Sequence, residues 1–209
     1  SFVWLQLECG QLHRLMQLQP HRNVRVPANV KRCGSAFAEF GPQGGVKIGD
    51  QLGVPFEIVI VDDGSIDHSA EILAHWSQRD PRIKSVHHPT NRGYGAALRA
   101  GLRRSRGELV FFSDADLQFD LREIALLLKH AEDVDIVVGY RAPRRDPWLR
   151  RTIAWAWGRL VRALFDIPVR DIDCAFKVFR REVLDAIPIE SIGAFVNTEI
   201  LARARAAKF

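Results

Sequence analysis

The chain has 209 residues, of which 47% are hydrophobic and 26% charged, and its 30 Lys and Arg against 25 Asp and Glu give a net charge of +5. These values are typical of a globular domain and exclude a disordered, collagen-like or coiled-coil protein. Three scattered cysteines without CxxC spacing exclude a disulfide framework and a zinc ribbon, and they favour a reducing compartment. We predict no transmembrane span and no signal peptide, because the apolar runs are short and no basic region precedes the first one.

The first 52 residues show no regular alternation of strands and helices. Their pattern indicates a strand over residues 2–7 and a short helix over 11–19, and it favours a Gly-rich loop over 42–53. We therefore predict an atypical, poorly ordered segment over residues 1–52 and a folded domain over 53–209.

From residue 53 onward, short apolar runs alternate with segments of helical periodicity. Strands are predicted over residues 57–63, 82–88, 108–114 and 135–140, and helices over 69–80, 93–105 and 121–131. This order predicts an α/β fold with three layers and a mostly parallel sheet. The apolar runs lack alternation, which is typical of strands covered on both faces. Ligands of such sheets bind at the carboxyl ends of the strands.

An acidic motif, DADLQ, directly follows the predicted strand 108–114. Asp114 and Asp116 point the same way if the strand continues, and two carboxylates this close repel each other unless a cation lies near them. Gln118 adds an amide oxygen, and oxygen ligands suit Mg²⁺ or Mn²⁺. We predict a metal site formed by these three residues; the alternative is a solvated Asp-rich turn.

A second acidic pair, Asp62 and Asp63, ends the predicted strand 57–63. Gly64 permits a tight turn there, and Ser65 or Asp67 can cap the next helix. Either carboxylate can accept hydrogen bonds from a ribose or a base edge. For one of the two, simple capping remains the alternative.

Two further charged segments are candidates for binding phosphate groups. Arg92 and Gly93 open the predicted helix 93–105, where backbone N–H groups can approach a phosphate; a structural turn is the alternative. Asp171, Asp173 and Lys177 belong to a charged segment that leads into an apolar run, and an ion pair on the surface is the alternative there.

Residues 141–165 are strongly basic and amphipathic. This segment contains seven arginines and one acidic residue, Asp146, and Trp148, Trp155 and Trp157 lie among the arginines. An apolar helical face is predicted at Leu149, Ile153, Ala156, Leu160 and Leu164. A basic amphipathic helix with Trp indicates binding to a membrane surface. The alternative is a helix packed on the core with a solvated basic face. The seven histidines lack metal-binding spacing and are interpreted as structural or solvated.

Six motifs in this order and spacing resemble family 2 glycosyltransferases with the GT-A fold, in the dolichol- or polyprenyl-phosphate sugar transferase branch. They lie at residues 61–65, 91–101, 111–120, 138–141, 171–184 and 197–200. By this resemblance, the nucleotide or donor would be bound by Asp62, Asp63, Arg92, Gly93 and Asp114. The acceptor phosphate would be bound by Arg141, Asp171 and Lys177, and the catalytic residues would be Asp116, Asp173 and Glu199.

The resemblance implies an inverting, metal-dependent transfer of a hexose from a GDP- or UDP-sugar to a polyprenyl or dolichyl phosphate. It also implies a peripheral protein on an anionic, cytoplasmic membrane face, without a nucleic-acid partner. Three alternatives stay open: a sugar hydroxyl as acceptor, sugar nucleotidyl transfer, and an inactive remnant. No strand ending in a P-x-x-N-E-like segment precedes Val54, and the sequence ends soon after residues 197–200. We therefore expect the central first strand to be missing or replaced, a truncated carboxyl end and little activity.

Overall fold

A computed structural model describes residues 2–8, 42–114, 120–140 and 148–209. The strands are β1 (Phe2–Glu8), β2 (Phe56–Asp63), β3 (Ile83–His88), β4 (Leu109–Asp114), β5 (Ile136–Val138) and β6 (Phe176–Arg180). They form one six-stranded sheet in the order β3-β2-β1-β4-β6-β5. Strands β1 to β4 pair in parallel, whereas β6 runs antiparallel to both β4 and β5. The mostly parallel sheet agrees with the prediction.

The described helices are α1 (Pro42–Leu52), α2 (Ser69–Arg79), α3 (Tyr94–Arg104), α4 (Ile124–His130), α5 (Trp148–Phe165), α6 (Arg181–Ala186) and α7 (Val196–Ala206). The three helices between β2 and β5 follow the predicted alternation closely. A short 3₁₀ turn, Leu121–Glu123, precedes α4, and the side chain of Asp120 caps this turn by accepting a hydrogen bond from the N–H of Arg122.

Strand β2 shows why the domain has three layers. Ile58 and Ile60 are fully buried in one apolar cluster, whereas Val59 and Val61 are fully buried in another. Because successive side chains of a strand point to opposite faces, both faces of the sheet are covered. Helix α4 contributes Ile124 and Leu127 to the first cluster, and α3 and α7 contribute Leu98 and Ile200 to the second. The predicted three-layer fold is confirmed.

The central first strand is present, so of the two expectations for it, a missing or a replaced strand, the first is wrong. Strand β1 lies between β2 and β4, pairing Phe2 with Phe56 on one side and with Leu109 on the other. A parallel ladder uses backbone N–H and C=O groups, so a segment that lacks the expected motif can still form the central strand. Strand β1 and helix α1 precede the predicted boundary at residue 53 and are nevertheless elements of this fold. The predicted helix over residues 11–19 lies outside the described residues.

The Gly-rich stretch 42–53 is a helix for most of its length and not the predicted loop. Val46 and Leu52 pack against the apolar cluster around Ile58. A Cβ on Gly49 would lie 2.6 Å from the ring of Phe56, so the absence of a side chain lets this helix approach the sheet. Tertiary packing here overrides the low helix propensity of glycine.

Strand β6 was not predicted, because residues 170–177 indicate a charged loop followed by an apolar run. The antiparallel pairing sets Lys177 opposite Phe112 of β4 and opposite Val138 of β5. A pattern based on hydrophobicity alone does not predict a lysine in a strand that pairs on both sides.

Helix α5 exposes the apolar face that the sequence predicts. The side chains of Ile153, Leu160 and Leu164 are 61%, 50% and 67% exposed, whereas Val161, outside the predicted face, is 1% exposed and joins the core. The alternative of an apolar face packed on the core is therefore wrong for these three residues. Among the described residues, none of the helices is long and apolar enough to cross a bilayer.

Candidate functional site

Three parallel strands, β2, β1 and β4, end at the same edge of the sheet. The register pairs Glu8 with Asp62 and Leu7 with Asp114, so the ends of β2 and β4 flank the end of β1. Neighbouring strands lie roughly 5 Å apart, which places the backbones of Asp62 and Asp114 roughly 10 Å from each other. This edge thus brings together three of the predicted site residues, Asp62, Asp63 and Asp114.

Asp62 is buried, and both of its carboxylate oxygens have partners. Oδ1 accepts a hydrogen bond from the backbone N–H of Ser65 at 3.0 Å, and Oδ2 lies 2.6 Å from Nδ1 of His87. Gly64 has a φ of +75° within this turn, a conformation that favours glycine. His87 pairs with Asp62 across the ladder between β2 and β3, and the sequence interpretation missed this contact because 25 residues separate the two.

Asp63 is fully buried and holds the turn that opens helix α3. Its Oδ1 accepts a hydrogen bond from the N–H of Arg92 at 2.9 Å, and its Oδ2 accepts one from the N–H of Gly93 at 2.8 Å. Nδ1 of His88 lies 2.6 Å from Oδ1. The N–H groups predicted to approach a phosphate therefore donate to a carboxylate of the protein, and the nucleotide roles of Arg92 and Gly93 stay predictions.

Asp114 ends β4 at the same edge. The other two predicted metal ligands, Asp116 and Gln118, lie outside the described residues, as does Arg141. Among the residues that the structure describes, no group of three or more His, Cys, Asp or Glu side chains could hold a metal ion. The carboxylate of Asp114 is an oxygen donor of the kind that hard divalent cations prefer, so this part of the predicted ligand set fits Mg²⁺ or Mn²⁺.

Lys177 lies inside the domain, behind the carboxyl edge. Its Nζ donates to the carbonyl of Cys174 and to Oδ1 of Asn197, the latter at 2.8 Å, and it lies 5.5 Å from the centre of the Phe112 ring. The side chain is 1% exposed. The predicted contact of Lys177 with an acceptor phosphate therefore stays a prediction, and this structure gives its ammonium group two partners within the protein.

Burial lowers the pKa of Lys177 to about 8, although nearby groups act in the opposite direction. These groups are Cys174 and the carboxylates of Asp173, Asp114 and Asp171, and they favour the protonated ammonium. Asp171 is buried and Asp173 exposed. The segment 171–177, which was predicted to bind the acceptor phosphate, thus interacts with Asp114 at the carboxyl edge through the charge of Lys177.

Glu199 lies in the first turn of α7 and is 6% exposed. Its Oε1 accepts a hydrogen bond from the N–H of Glu190 at 3.0 Å, and its Oε2 accepts one from the N–H of Ser191 at 2.8 Å. Nε of Arg203 lies 3.0 Å from Oε1. Burial acts to raise the pKa of Glu199, but these hydrogen bonds and the charge of Arg203 hold that pKa below its ordinary value. This arrangement favours the ionised form of the carboxylate.

Comparison with protein families gives one match that covers most of the domain. The family model described as Glycosyl transferase family 2 matches residues 47–187. Two curated relatives, the undecaprenyl-phosphate 4-deoxy-4-formamido-L-arabinose transferases of Pseudomonas aeruginosa and Edwardsiella ictaluri, are each 38% identical over 139 and 141 residues. These stretches cover 66% of this chain but 41% and 43% of the relatives. The chain thus spans about two fifths of the length of the curated relatives it matches.

Solved structures share the fold at low sequence identity. A mannosyltransferase from Pyrobaculum calidifontis, in complex with GDP-Man and Mn²⁺, is 18% identical with a TM-score of 0.56, over 95% of this chain and 51% of that one. Glucosyl-3-phosphoglycerate synthase from Mycobacterium tuberculosis, in complex with UDP, is 18% identical with a TM-score of 0.62, over 96% of this chain and 64% of that one. The predicted GT-A fold is thereby confirmed.

Proposed function

Because the chain belongs to glycosyl transferase family 2, we propose that it takes part in transferring a hexose from a nucleotide diphosphate sugar to a polyprenyl phosphate. The observation that carries this proposal is the meeting of Asp62, Asp63 and Asp114 at one sheet edge. The acceptor class rests on the relatives, whose names specify undecaprenyl phosphate. The donor class is supported by the structural neighbours solved with GDP-Man and with UDP.

In this proposal the two ends of the sheet edge bind different parts of the donor. Asp62, at the end of β2, would accept hydrogen bonds from the ribose or base, and Asp114, at the end of β4, would lie on the diphosphate side. Asp114, Asp116 and Gln118 would hold a divalent cation. When bound, such a cation stabilises the negative charge of a departing diphosphate. Mn²⁺ accompanies the nucleotide sugar in one structural neighbour, and we propose Mg²⁺ or Mn²⁺ here.

The acceptor phosphate would attack the anomeric carbon from the face opposite the leaving diphosphate, so that the configuration inverts. A phosphate is already anionic at pH 7, so no strong general base is required. A sugar hydroxyl would require one, and Glu199 and Asp173 are the candidates. The lowered pKa and fully engaged oxygens of Glu199 make it a poor base, which favours the phosphate acceptor.

We further propose that helix α5 lies on an anionic membrane surface, at the cytoplasmic face. The exposed side chains of Ile153, Leu160 and Leu164 form an unburied apolar face, and Trp148 and Trp155 are exposed on another side of the helix. The guanidinium of Arg159 lies 5.8 Å from the centre of the Trp155 ring, so a basic group accompanies the exposed tryptophans. Each basic residue near an anionic surface contributes about 1 kcal/mol of attraction. Flotation with anionic vesicles should show binding that weakens with salt, and equal binding to neutral vesicles would contradict the electrostatic part.

The test of the catalytic proposal is sugar transfer to undecaprenyl phosphate, measured with GDP- and UDP-sugars and with Mg²⁺ or Mn²⁺. Asp114→Asn and Asp116→Ala should abolish metal-dependent binding of the donor while the protein stays folded. Asp133→Asn, which changes an exposed carboxylate, is the matched control. Donor binding that is equal with and without metal in both variants would refute the metal site. Exchange of diphosphate into a nucleoside triphosphate would indicate nucleotidyl transfer, and no binding of any nucleotide would indicate an inactive remnant.

A further inference from the structure

We infer that Glu199 is a positioning residue that fixes the segment 189–193 against the turn 91–95, and that through this turn it holds the end of β2 where the donor nucleotide is proposed to bind. The inference rests on the proposed function for its consequence on donor binding. The contacts themselves belong to the described structure and do not depend on that function.

The first link joins helix α7 to the segment 189–193. The two oxygens of Glu199 accept hydrogen bonds from two consecutive backbone N–H groups, those of Glu190 and Ser191. Arg203, one turn further along α7, contacts Glu199 through Nε and the carboxylate of Glu190 through Nη2, at 3.0 and 2.7 Å. Charged acceptors form stronger hydrogen bonds than neutral ones, so the helix holds this segment firmly.

The second link joins the same segment to the turn that opens α3. The N–H of Gly95 donates to the carbonyl of Ile192 at 2.8 Å. A Cβ on Gly95 would lie 2.1 Å from the carbonyl oxygen of Ser191, and a Cβ on Gly93 would lie 2.7 Å from that of Ile192. Arg99 of α3 adds hydrogen bonds to the carbonyls of residues 189 and 190. The two backbones are thus in direct contact, with no room for a side chain between them.

The third link joins this turn to the carboxyl edge. Asp63, the last residue of β2, accepts hydrogen bonds from the N–H groups of Arg92 and Gly93. His88 of the neighbouring strand contacts the same carboxylate. A continuous series of short contacts therefore runs from the carboxylate of Glu199 to the residue beside Asp62. A shift of the segment 189–193 would move the turn and thereby the end of β2.

The chemistry of the side chain explains why a carboxylate stands at position 199. Both oxygens face N–H donors, and an amide offers only one oxygen. Glu199→Gln keeps the size of the side chain but turns an NH₂ group toward a backbone N–H. Glu199→Asp keeps the charge but withdraws it by one methylene, so the carboxylate no longer reaches both donors.

The experiment compares wild type, Glu199→Gln, Glu199→Asp and the control Glu182→Gln, which alters an exposed glutamate of α6. Amide exchange at Gly95 is the readout that requires no activity. Because the Gln variant leaves a buried donor without an acceptor, we expect this exchange to be faster by about tenfold or more. We expect affinity for UDP or GDP with Mn²⁺, measured by calorimetry, to fall by about tenfold. The control should match wild type in both readouts.

A general base would behave differently. Its loss would lower kcat by about 100-fold to 10,000-fold and remove one limb of the pH–rate profile. That result, with wild-type exchange at Gly95 and wild-type nucleotide affinity, would overturn the inference. If wild type binds no nucleotide, the proposed function fails, while the exchange at Gly95 still tests the link.

Gly95→Ala perturbs the segment 189–193 from the side of α3. It replaces Glu199→Gln in the experiment if that variant does not fold. Its Cβ displaces the carbonyl of Ser191, so it should weaken nucleotide binding as Glu199→Gln does. Because both changes displace the same segment, residues 189–193, their effects in the double variant should be less than additive. Fully additive effects would refute a shared link.

Discussion

Lys177 should make the stability of the domain rise with pH in the alkaline range. We consider replacing it with Met, which has a similar length and no charge. Lys177 is buried under the carboxyl edge, and burial lowers its pKa from 10.5 to about 8. Between these two values the unfolded chain keeps a proton on this lysine that the folded chain has released.

The sign and the magnitude follow from this difference in bound protons. Raising the pH favours the state that binds fewer protons, which here is the folded state. The cost of burying the charged ammonium is therefore fully present below pH 8 and disappears by about pH 10.5. Each pKa unit corresponds to about 1.4 kcal/mol, so the free energy of unfolding should gain about 3 kcal/mol over this range.

The assay is denaturant-induced unfolding of wild type and Lys177→Met at a series of pH values from 7 to about 10.5, with a chelator present so that no metal alters the neighbouring carboxylates. The difference in the free energy of unfolding between the two proteins isolates Lys177 from other titrating groups. It should shift in favour of wild type by about 3 kcal/mol as the pH rises. Lys129→Met removes an exposed lysine of α4 and should run parallel to wild type.

Parallel curves for wild type and Lys177→Met would refute the reasoning, because they would mean that this lysine has the same pKa in both states. A shift in the opposite direction would mean that the surrounding carboxylates outweigh burial and hold the lysine protonated. In that case the ammonium would be a stabilising partner of Asp114, Asp171 and Asp173, and replacing Lys177 with Met would cost more at neutral pH than at high pH.

Three further outcomes test the fold and the edge. Amide exchange across Phe2–Glu8 should be as slow as across β2 and β4, since β1 pairs on both sides; rapid exchange there would contradict its central position. Gly64→Ala should destabilise the domain by about 1–3 kcal/mol, because its φ is +75° and its Cβ would lie 2.4 Å from backbone atoms. Gly53 has a φ of +66° and open space around it, so Gly53→Ala measures the cost of the positive φ alone. It should destabilise the domain less than Gly64→Ala does. Arg181, the first residue of α6, bonds to two carbonyls and a serine hydroxyl at and after the end of α3. Arg181→Ala should therefore cost about 2 kcal/mol in thermal or chemical unfolding, whereas Arg104→Ala on the exposed surface should be neutral.

The sequence determined the elements whose signal is local. Residues 57–63 form an apolar run that ends in two carboxylates, and β2 occupies Phe56–Asp63. Helix α3 begins and ends within one residue of the predicted 93–105. The predicted burial on both faces is confirmed, because an uninterrupted apolar strand is stable only between two layers. The positions of Asp62, Asp63 and Asp114 at one edge followed from the same parallel order.

The tertiary structure decided what depends on distant partners. The sequence indicated a strand over residues 2–7, but the central position of β1 could not be predicted from its own residues, because that position comes from two ladders to strands far along the chain. Helix α1 forms despite its glycines because it packs on the sheet. Strand β6 contains the buried Lys177, whose ammonium group donates a hydrogen bond to Asn197, a residue of a separate helix.

The division of roles within the site was also invisible in the sequence. Asp62 and Asp63 are adjacent and chemically identical, yet one caps a turn beside His87 and the other holds the opening of α3. Glu199 is a carboxylate like any catalytic base, but its partners are the backbone N–H groups of residues 190 and 191. A carboxylate acts as base, ligand or anchor according to what surrounds it, and for these residues packing sets the surroundings, since the contacting atoms come from segments up to 30 residues away.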